Sequence, residues 1–566
     1  MAHVLAALVN VWRFLRNGFA RLFRRPPDYV WIEVSGSLPE FEVPTSFLRR
    51  RISPGAPSVS LEALRERLDG ISSDGRVKGI ALRIRNLDAE WTALEELRSE
   101  LARFRERGGR SVAYLLEPDT RSYYLACAAD EVYATPVSTI NVTGIRARVN
   151  FLKDALNRVG VEAEVVAVSP YKSAGDTFVR NDFSEESREQ TERLIERRYA
   201  TLVDAVACGR NLFPGEVREK IDLAPYTASG AVTESLIDGV CYEDELPGKL
   251  GADDERAKLA EWGAARGALR LPYRKRARHV VGLVSLSGAI VRGKSRRLPV
   301  PLPLLGGEQA GDESVVAALR VAEKDRRIAA ILFHVDSRGG DALASDLIWR
   351  EIQRIREKKP VVVLMGAAAA SGGYYVSAAA NHIVARQNTI TGSIGVILIR
   401  PTAAGLFGKL GVNPVAVERG ARSGILDTSH KPDTDELDVL RGQIQHIYDE
   451  FKDRVSRGRE IDLDTLDDIS GGRVWTGSEA RERGLVDEIG GFREALHKAL
   501  DLGGIDKEMP ETLVKVSPPR NARLAPGDPV EAAREAVEAM KESVSELRTP
   551  KIWAISAYDI SDGSGG

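Results

Sequence analysis

The sequence predicts an α/β protein built as a tandem duplication. Two observations carry this. Short apolar runs of strand length alternate with helical patterns, as at 77–84, 93–104 and 111–116. Such alternation makes a mostly parallel sheet covered by helices. The second half then repeats the first. Ser122-Tyr123-Tyr124-Leu125-Ala126-Cys127-Ala128-Ala129-Asp130 matches Gly373-Tyr374-Tyr375-Val376-Ser377-Ala378-Ala379-Ala380-Asn381 at an offset of 251 residues. The same offset sets 77–84 on 328–335 and Gly144 on Gly395, while Ser35-Gly36 falls on Ser287-Gly288 at 252. Each copy is therefore one α/β unit.

Along the chain, residues 1–27 form an amphipathic helix and its stop. The first repeat covers 28–250, a charged linker covers 251–276, the second repeat covers 277–503, and a tail covers 504–566. In the first segment Leu5, Leu8, Trp12, Leu15, Phe19, Leu22 and Phe23 recur at helical spacing, and Arg13, Arg16, Arg21, Arg24 and Arg25 take the rest of the wheel. That pattern fits a helix lying in a membrane interface; a helix docked on the protein's own body or on a sister subunit fits it too. The apolar run is too broken to span a bilayer. The charges follow the apolar part, the reverse of a cleavable secretory signal. Pro26-Pro27 ends the helix.

The first repeat predicts strands at 30–34, 77–84 and 111–116 with helices at 61–68 and 93–104. The linker is partly helical, and its basic end, Arg274-Lys275-Arg276, reads as a solvated face. In the tail, Asp528-Pro529 reads as a cap and first helical residue of a charged helix reaching about Leu547. Residues 551–558 read as a terminal strand, and 561–566 as a disordered end. The apolar loop 298–305, rich in Leu and Pro, is expected to contact a neighbouring subunit or lipid; a hinge packed on its own domain is the alternative.

Composition limits the function. Of 566 residues, 43% are hydrophobic and 29% charged, which is ordinary for a globular protein. A formal net charge of −2 argues against a large basic footprint for nucleic acid. Cys127, Cys208 and Cys241 lie far apart with no CxxC, which argues against a disulfide framework. The seven histidines lack ligand spacing, so no metal site is expected, and no cofactor is expected either.

Chemistry concentrates around Ser371. The apolar run 361–366 reads as a buried strand, and a helix is expected from Tyr374 to Ala380. Ser371 thus sits where a strand passes into a helix, and backbone amides at such a place can hold a developing oxyanion. An ordinary N-cap serine is the competing reading. Asp336-Ser337-Arg338-Gly339-Gly340 follows the strand at 328–335, and a Gly pair there lets backbone amides approach a ligand closely.

The first repeat lacks these features. Asp88 and Ala89 match the two glycines, and Thr120 matches Ser371. It has instead Tyr171-Lys172-Ser173, where Lys172 aligns with Arg422 of the second repeat. A lysine acts as a base if burial lowers its pKa, whereas an arginine stays charged. The simplest chemical sum takes a nucleophile from one repeat and a base from the other; an ordinary surface lysine is the alternative. A triad finds little support. His382 lies 11 residues past Ser371, about 16 Å along a continuing helix. His334 approaches the Gly pair but reads better as a packing residue.

Taken together, the Gly-Gly loop, Ala369-Ala370-Ser371-Gly372-Gly373-Tyr374-Tyr375, Thr391-Gly392-Ser393-Ile394-Gly395 and Tyr171-Lys172-Ser173 resemble signal peptide peptidase A in its long, two-repeat bacterial form. Val474-Trp475-Thr476-Gly477 and Gly484-Leu485-Val486-Asp487 are similar as well, and the resemblance covers roughly residues 28–503. It implies a crotonase-like, Clp-protease-like β-α superhelix in each repeat and a Ser-Lys dyad serine endopeptidase. Ser371 becomes the nucleophile, Lys172 the base and Ser393 the residue that orients the lysine. Amides of Gly372, Gly373, Gly339 and Gly340 become the oxyanion and substrate-binding groups. The resemblance further implies a homotetramer, unfolded apolar peptides such as remnant signal peptides as substrates, and membrane association in a bacterial cell envelope. Two departures stand out. An amphipathic segment, 1–25, replaces the spanning helix, and Arg338 takes the place of a common proline. Readings from other classes are a crotonase-like acyl-CoA enzyme and a non-catalytic membrane-associated scaffold of the same fold.

Overall fold

In the computed structural model, the described residues are 2–42, 59–252, 255–270, 273, 277–302, 306–506, 512–518 and 551–555. The chain divides into two compact units. Among the described residues, the first comprises those up to 146 and from 195 to 273, and the second those from 147 to 194 and from 277 to 555.

The first unit is built on a six-stranded sheet. Its order is Gly239–Val240, Glu131–Ala134, Arg110–Leu115, Gly79–Leu87, Tyr29–Gly36 and Leu259–Glu261, and every pairing is parallel. Helix Leu61–Ser72 starts at Ser60, whose side chain accepts from the Ala63 amide at 3.1 Å. Helix Trp91–Glu106 buries Leu94, Leu97, Leu101 and Phe104 against the sheet core.

In the second unit the strands Glu488–Ile489, His382–Ala385, Val361–Ala370, Ile328–Ser337, Val280–Ser287 and Leu513–Lys515 pair in that order, again all parallel. This is the order of the first unit, strand for strand. Residues 361–365 are fully buried, as expected for a central parallel strand covered on both faces.

Individual interactions repeat with the strands. Tyr123 Oη donates to the Leu236 carbonyl at 2.6 Å, and Tyr374 Oη to the Leu485 carbonyl at 2.9 Å. Asp238 accepts from the Val132 amide and pairs with Arg210, while Asp487 accepts from the Ile383 amide and pairs with Arg459. Helices Glu185–Arg210 and Thr434–Arg459 have 26 residues each.

A second, mixed sheet of the second unit has the order Arg296–Leu302, Gly306–Gly311, Ala289–Val291, Gly339–Asp341, Lys551–Ile555, Ile397–Thr402 and Glu162–Ala167. Residues 147–194, counted with the first repeat by sequence, thus enter the second unit through Glu162–Ala167, antiparallel to Ile397–Thr402.

The N-terminal segment is a helix, Ala2–Phe23, that ends before Pro26. Its arginines hold it to the first unit. Arg16 donates to the carbonyls of Leu269, Arg266 and Gly267 at 3.0–3.3 Å, and Arg24 to Gly267 at 2.9 Å. Val11, Trp12, Phe14 and Leu15 stay exposed. Among the described residues no helix is long and apolar enough to cross a membrane. The linker carries a short strand and the helix Trp262–Ala265. Residues 296–302 and 306–311 form an antiparallel pair. Residues 303–305, the basic run 274–276, the expected helix at 528–547 and the end at 561–566 lie outside the described residues.

Candidate active site

Strand Val361–Ala370 runs ten residues and delivers Ser371 at its end. Helix Gly372–Ser377 begins at once, shorter than the expected 374–380. Ser371 occupies the N-cap position, yet its side chain makes no capping bond, and its backbone lies at φ 55°, ψ −115°. A positive φ in a residue with a Cβ costs on the order of 1–3 kcal/mol and persists only where the surroundings over-determine it. Here the Ser371 amide donates to the Gly392 carbonyl at 2.8 Å, and its carbonyl accepts from Tyr375 at 2.7 Å. The hydroxyl is thereby left for other work.

That hydroxyl meets a lysine. Lys172 Nζ lies 2.6 Å from Ser371 Oγ, 2.9 Å from the Ser393 carbonyl oxygen and 3.0 Å from Ser393 Oγ. All three residues are buried, Ser371 wholly so at 0% exposure. Burial pushes the Lys172 ammonium well below the ordinary lysine value of 10.5. That burial favours the neutral amine, which has two N–H groups and one lone pair. In this arrangement Nζ donates toward all three oxygens, and the Ser371 hydroxyl points to the Gly395 carbonyl at 3.5 Å.

One turn, Ser470-Gly471-Gly472-Arg473, holds both sides of this arrangement. Ser169 Oγ donates to the Gly471 carbonyl, and Arg473 stacks on the Tyr171 ring with its guanidinium 3.6 Å from the centroid. On the other side, Ser393 N–H donates to the Arg473 carbonyl at 2.6 Å and Gly472 N–H to the Ile394 carbonyl at 2.8 Å. Gly471 and Gly472 have φ of 68° and 89°, and a Cβ on Gly472 would lie 2.7 Å from Lys172 Cα. Only glycine fits there. Gln190, also buried, donates to the Tyr171 carbonyl at 3.2 Å and accepts from the Val474 amide at 2.9 Å. The sequence reading missed this turn and Gln190. The Gly-Gly pair was the available signal.

The glycine loop sits beside the serine. Gly373 packs so closely that a Cβ on it would lie 2.5 Å from the Ser337 carbonyl, and Gly340 lies against Ile290. Gly339 N–H donates to Ser337 Oγ at 3.1 Å, so this amide already has an acceptor. Gly372 opens its helix, and its amide has no intrahelical acceptor by position.

Other candidates fall elsewhere. His382 Nε2 lies 3.0 Å from Glu488, on the strand Val361–Ala370's neighbour, and His334 is buried within Ile328–Ser337. Arg422 is exposed and pairs with Asp435 at 3.0 Å. Thr120 opens a helix capped conventionally by Asp119, which accepts from the Ser122 amide.

The family model for peptidase family S49 matches residues 103–255 and 353–506, and that for Clp protease matches 307–392. The chloroplastic serine protease SPPA of Arabidopsis thaliana is 32% identical over 526 residues, covering 90% of this chain and 75% of that protein. Protease 4 of Haemophilus influenzae is 32% identical over 449 residues, covering 76% and 71%. A putative signal peptide peptidase SppA of Enterococcus faecium is 34% identical over 194 residues, covering 34% and 56%. With a duplicated Clp-protease- and crotonase-like α/β unit and these relatives, the chain belongs to peptidase family S49 and is a serine-type peptidase of the signal peptide peptidase A kind.

Proposed function

We propose that this peptidase uses a Ser-Lys dyad, Ser371 and Lys172, to cut extended apolar peptides such as remnant signal peptides beside a membrane. The observation that carries the reading is the buried amine of Lys172 at 2.6 Å from Ser371 Oγ. Neutral Lys172 takes the Ser371 proton as Oγ attacks the scissile carbonyl carbon. The tetrahedral intermediate collapses, the C–N bond breaks, and the Lys172 ammonium protonates the leaving amine. Water then attacks the acyl-enzyme, giving a proton to Lys172, which returns it to Oγ as the acid leaves. Ser393 holds the amine toward Ser371 through both of its oxygens.

The oxyanion falls to the Gly372 amide together with the Gly339-Gly340 loop, and Gly373 supports the turn by its close packing. The Gly339 amide serves only if it leaves Ser337 Oγ. Substrate lies along Gly339–Asp341 as an added strand, a mode in which backbone pairing supplies affinity for peptides of varied sequence.

For the membrane, the helix Ala2–Phe23 supports an in-plane or peripheral contact. Its arginines grip the first unit while Val11, Trp12, Phe14 and Leu15 remain exposed. A homotetramer in a cell envelope follows from resemblance. The base then comes from the repeat at 28–250 and the nucleophile from the repeat at 277–503. The direct test is cleavage of an unstructured apolar peptide by the native chain, with Ser371→Ala and Lys172→Ala as comparisons. Turnover by either variant at the native rate rejects the dyad. Flotation with anionic vesicles, lost in Trp12→Glu with Leu15→Glu, tests the membrane contact.

A further inference from the structure

The turn Ser470-Gly471-Gly472-Arg473 holds both Lys172 and Ser393, and it is itself held by a tyrosine. Helix Thr434–Arg459 carries Tyr448 into the core of the second unit. Tyr448 Oη accepts from the Gly471 amide at 3.0 Å and shares a hydrogen bond with Ser470 Oγ at 2.9 Å. Tyr448 and Ser470 are both buried. From that point the turn reaches the site within two residues. The Gly471 carbonyl accepts from Ser169, Gly472 lies against Lys172 Cα, and the Arg473 carbonyl accepts from the Ser393 amide.

The first repeat keeps the tyrosine and lacks the tie. Tyr199 matches Tyr448 at an offset of 249 residues, the offset that sets the helices Glu185–Arg210 and Thr434–Arg459 on each other. The same offset sets Ile221-Asp222 on Ser470-Gly471 and Leu223 on Gly472. Ile221 and Asp222 close the helix Pro214–Asp222, where amides donate to carbonyls four residues back. Tyr199 lies instead beside Arg218, whose guanidinium is 5.8 Å from the ring centroid. Leu223 is exposed, whereas Gly472 has no room for a Cβ. Packing accounts for a ring at this position in both helices. The hydroxyl's bond to the turn occurs in the unit that holds Ser371 and Lys172.

We infer that Tyr448 is a positioning residue for the proposed dyad. Its hydroxyl fixes the turn 470–473, and the turn holds the Lys172 backbone and Ser393 in the register that brings the amine to 2.6 Å from Ser371 Oγ. Lys172 and Ser371 take their roles here from the dyad reading, on which this rests. Without the hydroxyl, the Gly471 amide and Ser470 each lose a partner. The turn then relaxes, and water gains access to an amine whose basicity is held down by burial.

The test uses the full chain and Tyr448→Phe, which deletes one oxygen and keeps the ring. The readout is the rate at which a fluorophosphonate labels Ser371 across pH, which follows activation of the serine without requiring peptide cleavage. Tyr448→Phe is expected to slow labelling about tenfold, as displacement of a reacting group does. The pH midpoint of labelling is expected to move upward, toward the ordinary lysine value of 10.5. On a model peptide kcat falls by the same factor with KM unchanged. In a Lys172→Ala background, Tyr448→Phe has no further effect on the residual labelling, because its action passes through the lysine. A lower melting temperature with native labelling rate and midpoint assigns Tyr448 to packing and overturns the inference, as does an equal loss in the Lys172→Ala background. Native-rate labelling of Lys172→Ala alone rejects the dyad reading itself, so the two failures are told apart. Should Tyr448→Phe not fold, 4-fluorophenylalanine at position 448, which keeps most of the volume of the hydroxyl without its hydrogen bonds, replaces it in every measurement.

Discussion

Thr120 and Ser371 take the same place in the two repeats, and their hydroxyls point at the carbonyls of corresponding glycines, Gly144 at 3.1 Å and Gly395 at 3.5 Å. Their backbones differ. Thr120 begins a helix capped by Asp119, whereas Ser371 sits uncapped at positive φ beside a lysine. The second repeat thus carries strain where the first carries a conventional cap. Restoring a hydroxyl alone in the first repeat is therefore expected to create no second centre. Thr120→Ser in a Ser371→Ala chain should show no peptide cleavage above background.

Removing either proposed reacting group tests the dyad quantitatively. Ser371→Ala and Lys172→Ala are each expected to lower kcat by about 10⁴-fold, and the double variant by no more than either alone, because groups that act as a unit lose their effect together. Lys172→Arg should be as inactive as Lys172→Ala, since a guanidinium does not give up its proton. Steady-state kinetics on one fluorogenic peptide reads all four chains.

Ser393→Ala removes one of the two Ser393 oxygens that hold the Lys172 amine. It is expected to lower kcat by about 10²-fold with KM nearly unchanged, the cost of a misplaced reacting group. The pH–rate profile should shift as well, because the amine loses a neighbour, and Ser393→Thr should restore much of both. A purely structural role would lower melting temperature without moving the profile.

The depressed Lys172 pKa has consequences of definite sign. In the proposed mechanism the neutral amine is the base, so kcat/KM should rise with pH through the folded-state pKa, below the ordinary 10.5. Stability moves the same way. Between the folded and unfolded values the unfolded chain binds the extra proton, so unfolding free energy rises with pH across that window. The penalty is fully present below the folded pKa and gone above 10.5. Each unit of depression corresponds to about 1.36 kcal/mol. Lys172→Met should therefore melt higher than the native chain at neutral pH, with the difference shrinking toward pH 10.5. Calorimetry at a series of pH values checks this.

Gly340→Ala would place a Cβ 2.0 Å from the Ile290 carbonyl oxygen. Overpacking of this kind costs about 1–3 kcal/mol. Denaturant unfolding of the second unit should report a loss in that range, and cleavage should fall further than stability alone explains.

Much of this was legible in the sequence for identifiable reasons. The parallel sheets announced themselves through apolar runs such as 361–366, and the duplication through Tyr123-Tyr124 and Tyr374-Tyr375. Lys172 stood out because its counterpart is an arginine, and Ser371 because its counterpart is followed by Arg121-Ser122 rather than two glycines. What stayed hidden works through the backbone. The turn at Gly471-Gly472 acts by carbonyls and close approach, and Ser337 by engaging a neighbouring amide, whereas the terminal strand Lys551–Ile555 was legible and only its pairing partners were not. Membership of 147–194 in the second unit was hidden as well, since repeats read along the chain while compactness depends on where a strand finds its edge.

That last placement has a consequence for dissecting the molecule. A fragment starting at residue 277 keeps Ser371 but forfeits both its proposed proton acceptor and the outer strand Glu162–Ala167. No single scission between the repeats yields a self-sufficient half. Two separately expressed pieces, 1–276 and 277–566, would recover turnover only by complementation, with activity reporting how tightly they reassociate.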